Sequence, residues 1–380
     1  MTFPRPPKPA KLTRLSPSTY EAARRCNARA AWLAFGDRDA LPGSPAAILG
    51  LCFHKVAAAA QAGRLQTVDG VESSARSLFD EAAEEIFAKS HEAFKVKFGV
   101  KERLPGYYLR REESVALART LSPDEPLPPS RRRPSQMSPT KGIEQNLQSK
   151  DGLLYGRPDL IDTVAGEVVD YKTRRESLDG PNEVTDQEMR QLRLYALLAT
   201  DNGTRIQRGV IVLADGRRLT VELKVEDVQH EARSAAAVLE SYNAAIDGTR
   251  TFEEIASPSV ENCRYCPCMV LCEAFWKRAQ PSWQEHVGTQ VQGKLTSISK
   301  ASVQGVNLLT LHLECVGGTI EKSKVVLEQV PEEWLLGEVK APPSHVVLVR
   351  IINAHAAVSM PEHTVLRVDR AATETWILNS

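Results

Sequence analysis

The chain has 380 residues, length for two or three domains, with 42% hydrophobic and 25% charged residues. That composition excludes a disordered or fibrous chain. No run of about 18 apolar residues is present to cross a bilayer, and the Pro- and Lys-rich start, Met1 to Leu12, lacks an apolar signal core. A cytoplasmic protein with no membrane contact is therefore expected. The 48 basic and 48 acidic residues cancel, which neither favours nor excludes nucleic acid, because a groove needs only a local basic patch. Three such patches stand out: Arg24, Arg25 and Arg29; residues 95–111; and Arg131 to Arg133. Taken singly, each reads as solvated surface.

Residues 16–36 predict one helix, with Ser16 or Ser18 as N-cap, Pro17 in the first turn and an Ala-rich body. Further helices are expected over 46–62 and 73–98. Residues 121–141 are rich in Pro, Ser and Arg, cannot bury a core, and read as a mobile insert. Short strands follow at 143–148, 153–161 and 167–172, punctuated by Gly152, Gly156 and Gly166. A helix over 186–200, strands at 208–213 and 218–223, and a long helix over 225–246 complete a mixed α/β core. From residue 285 the texture is β-prone, with runs at 292–297, 307–314, 324–328, 345–353 and 364–368. This predicts a small C-terminal β-barrel of OB-like type. The expected domains are 1–284 and 285–380.

The chemistry concentrates in two short stretches, Gly156-Arg157-Pro158-Asp159 and Val168-Val169-Asp170-Tyr171-Lys172. Alternate residues of a strand share a face, so Asp170 and Lys172 point the same way, with Val169 and Tyr171 opposite. If Asp159 ends the neighbouring strand, two carboxylates and an ammonium converge. Such a group suits phosphodiester hydrolysis. Carboxylates hold a hard divalent cation that polarises the phosphate and generates hydroxide, and a lysine beside it steadies the developing charge. Asp-x-Lys alone reads more simply as a surface salt bridge.

The surroundings change that balance. Pro158-Asp159 and Asp170-Tyr171-Lys172 resemble the PD and (D/E)XK elements of the PD-(D/E)XK nuclease superfamily, in its RecB-like branch. The resemblance spans about residues 12–280 and implies a restriction-endonuclease-like mixed-sheet core with N-terminal helices. His54, in Gly50-Leu51-Cys52-Phe53-His54, resembles the family's helix histidine that ligates metal. Glu144 resembles its second acidic residue. The resemblance implies Asp159, Asp170 and Lys172 as the catalytic group, and His54, Glu144, Asp159, Asp170 and Tyr171 as the Mg²⁺ or Mn²⁺ site. Gln191 and Tyr195 resemble its Gln-x-x-x-Tyr helix, and their spacing of four puts them on one face, where they can position DNA.

Four of the seven cysteines, Cys263, Cys266, Cys268 and Cys272, lie close together. Clustered cysteines in a cytosolic chain point to metal rather than disulfides. Cys263-x2-Cys266-x5-Cys272 resembles the C-terminal trio of iron–sulfur RecB-like nucleases, such as the AddB nuclease domain and the CRISPR-associated RecB-like exonucleases. There a distant N-terminal cysteine is the fourth ligand, a place Cys26 occupies here. The implied cofactor is a 4Fe–4S cluster that staples the first helix to the end of the core. Zn²⁺ on the four local cysteines is the alternative, and Cys268 is a spectator or alternative ligand. Cys52 and Cys315 read as small buried hydrophobes.

The resemblance implies an exonuclease acting on single-stranded DNA or DNA ends, in DNA repair, CRISPR adaptation or antiphage defence. No Walker A loop is present, so unwinding would need a helicase partner, and the C-terminal region is a place for it to dock. The competing expectation is a catalytically silent DNA-end-binding scaffold, or a partner subunit of a helicase–nuclease complex. The intact Asp159, Asp170 and Lys172 weigh against it.

Overall fold

The structure is a computed structural model that describes residues 4–378, apart from 42, 66–69, 123–140, 175–182, 249, 322, 337–346, 361 and 370–372. Nearly all of the expected insert over 121–141, Arg131 to Arg133 included, therefore falls outside the described residues. The helix predicted over 16–36 is two helices, α1 (Pro17–Arg25) and α2 (Asn27–Phe35). The break is at Cys26, whose backbone is extended at φ −159° and ψ 119° while it still closes α1 and opens α2. Ser16 caps α1 by accepting from the Thr19 N–H. Helix α3 (Pro45–Gln61) matches expectation. The helix predicted over 73–98 is divided into α4 (Gly70–Ala88) and α5 (Glu92–Phe98). Helix α6 (Tyr107–Leu121), which sequence periodicity did not reveal, packs with α3 and α4 around Phe79, Phe94, Phe98 and Tyr107.

The strands expected at 143–148 and 153–161 are both interrupted, giving β1 (Lys141–Ile143), β2 (Leu147–Gln148), β3 (Tyr155–Gly156) and β4 (Leu160–Asp162). Glu144, with φ at +47°, turns the chain between the first two. Strand β5 (Glu167–Lys172), helix α7 (Asp186–Asp201), strands β6 (Arg208–Leu213) and β7 (Arg218–Glu222), and helix α8 (Val225–Ala245) follow, close to their predicted bounds. The sheet runs β1-β4-β5-β6-β7, with β5 and β6 parallel and the other neighbours antiparallel. Helix α7 crosses over between the parallel pair.

Both faces of β5 and β6 are covered, so alternation sorts their apolar side chains into two cores. Val168, Ile211 and Leu213 meet Leu192 and Leu198 of α7 and Leu239 of α8. Val169, Tyr171, Val210 and Val212 meet Phe53 of α3 and Leu117 of α6. Close packing of α7 depends on glycine: a Cβ on Gly209 would lie 2.8 Å from Leu192 Cδ1. The capping box of α7, between Thr185 and Glu188, satisfies donors at its start. The N-terminal segment is pinned across the core by Leu12 on Asn243 and by the Leu15–Leu154 bridge.

The chain then passes through α9 (Val260–Cys263), α10 (Glu273–Arg278) and α11 (Gln284–Val287). Beyond lie β8 (Thr289–Val303), β9 (Val306–Gly318), β10 (Lys324–Pro331), β11 (Leu335–Leu336), β12 (Leu348–Ser359), β13 (Thr364–Arg367) and β14 (Glu374–Leu378). The region predicted as a small barrel is a seven-stranded sheet. Its pairings run β8–β9–β10–β13–β12, and β12 also pairs with β8. Val291, Leu311, Leu327, Val349 and Leu366 are buried in its core. Arg350 joins it to the preceding segment: only 1% exposed, it donates to the Val270 carbonyl at 2.6 Å and to Gln292 Oε1 at 2.7 Å, and pairs with Glu273. Among the described residues no helix is long and apolar enough to cross a membrane.

Candidate active site

Register brings the two aspartates together. Strand β4 pairs Leu160 with Val169, so Asp159, one residue before β4, stands beside Asp170. Asp159 lies outside the strand and is fixed by its own contacts. Its Oδ2 accepts the Tyr171 backbone N–H at 2.7 Å, and its carbonyl accepts the Glu144 N–H at 3.0 Å. His54 projects from α3, and its Nδ1 lies 3.1 Å from Asp159 Oδ1.

Asp170 and Lys172 share the face of β5 that α7 covers. The Lys172 ammonium sits 2.6 Å from Asp170 Oδ2 and donates to Gln191 Oε1 at 2.9 Å. Gln191 returns the contact, its Nε2 donating to Asp170 Oδ1 at 2.9 Å and to the Tyr195 hydroxyl at 3.2 Å. One amide thus spans carboxylate, ammonium and phenol. Gly156 lets α7 come this close, because a Cβ there would lie 2.9 Å from Leu198 Cδ1 and 3.0 Å from the Tyr195 ring. At the far end of β5, Arg174 forks onto Glu188 at 2.8 and 3.0 Å, anchoring the first turn of α7. On the opposite face Gln61 donates to the Tyr171 hydroxyl at 2.9 Å.

Burial sets the electrostatics. Asp170, 4% exposed, has its pKa pushed up to about 6 by desolvation; Lys172 opposes the rise and the Asp159 charge adds to it. Burial lowers the His54 pKa, but the hydrogen bond and charge of Asp159 outweigh this and leave it raised. Burial drives the Tyr171 and Tyr195 phenols upward, so both stay neutral donors.

The sequence profile of the PD-(D/E)XK nuclease superfamily matches residues 14–273. The chain belongs to the PD-(D/E)XK nuclease superfamily. No curated protein matches the sequence. Among solved structures, one described as the crystal structure of SSO0001 is 18% identical, with a TM-score of 0.24, over 35% of this chain. The overlap spans 60% of that protein's length.

The donor chemistry of this group fits a hard divalent cation in part. Asp170 Oδ2 is buried and faces the Lys172 ammonium at 2.6 Å. Carboxylate oxygen is the ligand type that a hard divalent cation takes. Asp159 adds carboxylate oxygen and His54 an imidazole. Yet among the described residues no three His, Cys, Asp or Glu side chains are gathered closely enough to hold a metal ion. Glu144 does not join the group: its carboxylate pairs with Arg157 at 2.5 Å.

Five of the seven cysteines share one hydrophobic cluster, although no three of them are gathered closely enough to hold a metal ion among the described residues. Cys263, Cys268 and Cys272 are buried in one apolar cluster, with Cys26 and Cys266 packed against it. The Ser257 N–H points at Cys26 Sγ, 3.4 Å away, and Cys266 Sγ lies 3.6 Å from Cys268 Sγ. All seven cysteines are free thiols. Burial pushes Cys263 and Cys272 up to about 12, and charge on Cys26 and Cys266 adds to both. The hydrogen bond from Cys268 lowers Cys266 to about 7. Cys52 is fully buried beside α4, and Cys315 half-buried in the C-terminal sheet.

Sequence reasoning missed Gln61 and Arg174, and it left Arg25, Arg29 and Arg190 unassigned. These three line a cavity beside Gln191. The basic cluster of Arg24, Arg25 and Arg29 was the available signal.

Proposed function

We propose that the protein is a Mg²⁺- or Mn²⁺-dependent deoxyribonuclease of RecB-like type, an exonuclease acting on single-stranded DNA or DNA ends. The convergence of His54, Asp159, Asp170, Lys172 and Gln191 at the end of β5 carries this reading. Asp159, Asp170, His54 and the Tyr171 carbonyl would hold the cation, with Glu144 reaching it through Arg157 movement or a water. The cation would polarise a phosphate and acidify a water. Lys172 supplies a fixed positive charge where the phosphorane's negative charge develops. Gln191 keeps Lys172 and Asp170 in mutual register, and Tyr195 donates from the same helix face. The raised pKa of Asp170 means the cation competes with a proton below about pH 6.

The cysteines support a structural role. Cys26, Cys263, Cys266 and Cys272 are the set for a 4Fe–4S cluster, with Cys268 in reserve; thiol ligands must lose their protons, so the raised pKa values would be offset by metal binding. Zn²⁺ would use the local four. Residues 285–380 form an accessory domain that offers a surface to a helicase or other partner. DNA repair, CRISPR adaptation and antiphage defence are the settings for such an enzyme.

The test is cleavage of end-labelled single- and double-stranded DNA with Mg²⁺ or Mn²⁺, beside Asp170→Ala and Lys172→Ala. Loss of activity in both variants is expected. Degradation at the unmodified rate by either would remove the site assignment, and DNA binding without cleavage would favour the silent scaffold. Anaerobic purification that yields neither iron nor brown colour would exclude the cluster alone.

A further inference from the structure

A cavity of about 150 Å³ lies between α1, α2 and the start of α7, lined by Arg25, Arg29, Arg190, Glu21, Gln187 and Gln191 among others. Three arginines and one glutamate line it, a formal net of two positive charges. Glu21 is already spent on alignment. It accepts from Arg25 Nε at 3.0 Å and from Arg190 at 3.0 and 3.1 Å. Burial opposes the ionisation of Glu21, but those two arginines hold its pKa below the usual carboxylate range. Arg29 has a buried Nε with no hydrogen-bond partner. Arg25 Nη2 also reaches Gln187 Oε1 at 3.3 Å, and the guanidinium donors beyond these are what the cavity offers an anion.

The cavity adjoins the carboxylate group through one residue. Gln191 lines it and also bonds Asp170 and Lys172. Its volume falls below the roughly 300 Å³ at which small-molecule pockets begin. That size suits a phosphate group better than a whole nucleoside. Arginine forks suit phosphate oxygens, and charge-assisted bonds to them are strong.

We propose that this cavity is a subsite for the terminal phosphomonoester of a DNA strand, placing the strand end beside the hydrolytic group. A monoester dianion matches the net charge of two, which an internal diester, with one charge and a nucleoside on each side, does not. The proposal rests on the nuclease reading and adds to it a determinant of end recognition.

The experiment measures binding of the full chain to labelled oligodeoxynucleotides without added divalent metal, by fluorescence anisotropy. The strands carry a phosphate on the 5′ end, on the 3′ end, or on neither. One phosphorylated end should bind about tenfold tighter than the hydroxyl-ended strand, inorganic phosphate should erase the difference, and so should Arg29→Gln. Because Arg29 also faces Cys263 and Cys266, Arg25→Gln serves as the second variant and decides the matter if Arg29→Gln does not fold. Equal binding of all three strands, or a preference that survives in the folded variants, overturns the proposal. Cleavage without an end preference refutes the subsite and leaves the nuclease standing. An end preference without cleavage does the reverse.

Discussion

Replacing Asp170 by Asn should stabilise the metal-free protein at neutral pH while abolishing cleavage. Asp170 is 4% exposed, and desolvation lifts its pKa from 3.8 to about 6 in the folded state. That is roughly two pH units at about 1.4 kcal/mol each, or about 3 kcal/mol of disfavoured charge. The sign follows from proton linkage. Between about pH 4 and pH 6 the folded chain holds a proton that the unfolded chain has released, so stability falls as pH rises through this window. Above it the full penalty is present; below it Asp170 is neutral in both states and the penalty is gone. Asn carries no such charge. Its oxygen keeps the bond from Gln191, although its amide then faces the Lys172 ammonium, which subtracts from the gain. Denaturant melts of both proteins in EDTA should show Asn ahead by about 1–3 kcal/mol at pH 8 and level with Asp near pH 4. Added Mg²⁺ should stabilise the Asp protein and leave the Asn variant unmoved, because a ligand stabilises only the state that binds it. An Asn variant less stable at pH 8, or a difference independent of pH, would refute the claim that Asp170 is held at an electrostatic cost.

Gly156→Ala should cost about 1–3 kcal/mol in a chemical melt, since its methyl would press on Leu198 and the Tyr195 ring; activity should fall with it as Tyr195 is displaced, and a neutral result would show that α7 can retreat. Arg350→Met should destabilise by about 2–4 kcal/mol, because it removes bonds to Val270 and Gln292 and leaves Glu273 without its partner; limited proteolysis should then cut near residues 263–273 first, and unchanged protection would disprove the clamp. Tyr20→Phe should cost about 1–3 kcal/mol, since its hydroxyl donates to the buried Glu231 at 2.5 Å and also meets Ser234; a thermal melt unchanged from the parent would show that Arg193, 3.5 Å from the other oxygen of Glu231, is enough to satisfy it.

Much of the nuclease core could be read from local signals. Strand β5 was legible as a short β-prone run after Gly166, and β6, β7, α7 and α8 as strand and helix stretches close to their observed bounds. Helix α6 escaped because its exposed face carries Tyr108 and Leu109, which blurs the helical stripe. The 16–36 and 73–98 helices were overextended for a related reason. Ala-rich and amphipathic runs continue across Cys26 and His91, where the chain turns, and no Gly or Pro marks either break. Cys26 is extended because tertiary contacts place its thiol against the 257–272 segment.

The sequence alone determined which residue types stand where. Asp170 and Lys172 had to share one face of β5, because strand periodicity is local, and Gln191 and Tyr195 one face of α7. Tertiary structure decided who meets whom. Only antiparallel register sets Asp159 beside Asp170, only the packing of α3 brings His54 to Asp159, and only Glu144's left-handed turn and its pairing with Arg157 carry that carboxylate away from the group. The same holds for Cys26 among the other thiols and for Arg25, Arg29 and Arg190 around one cavity. Periodicity acts over a few residues, whereas meetings such as His54 with Asp159, 105 residues apart, or Cys26 with Ser257, 231 apart, are set by how helices and sheet pack into a shared core.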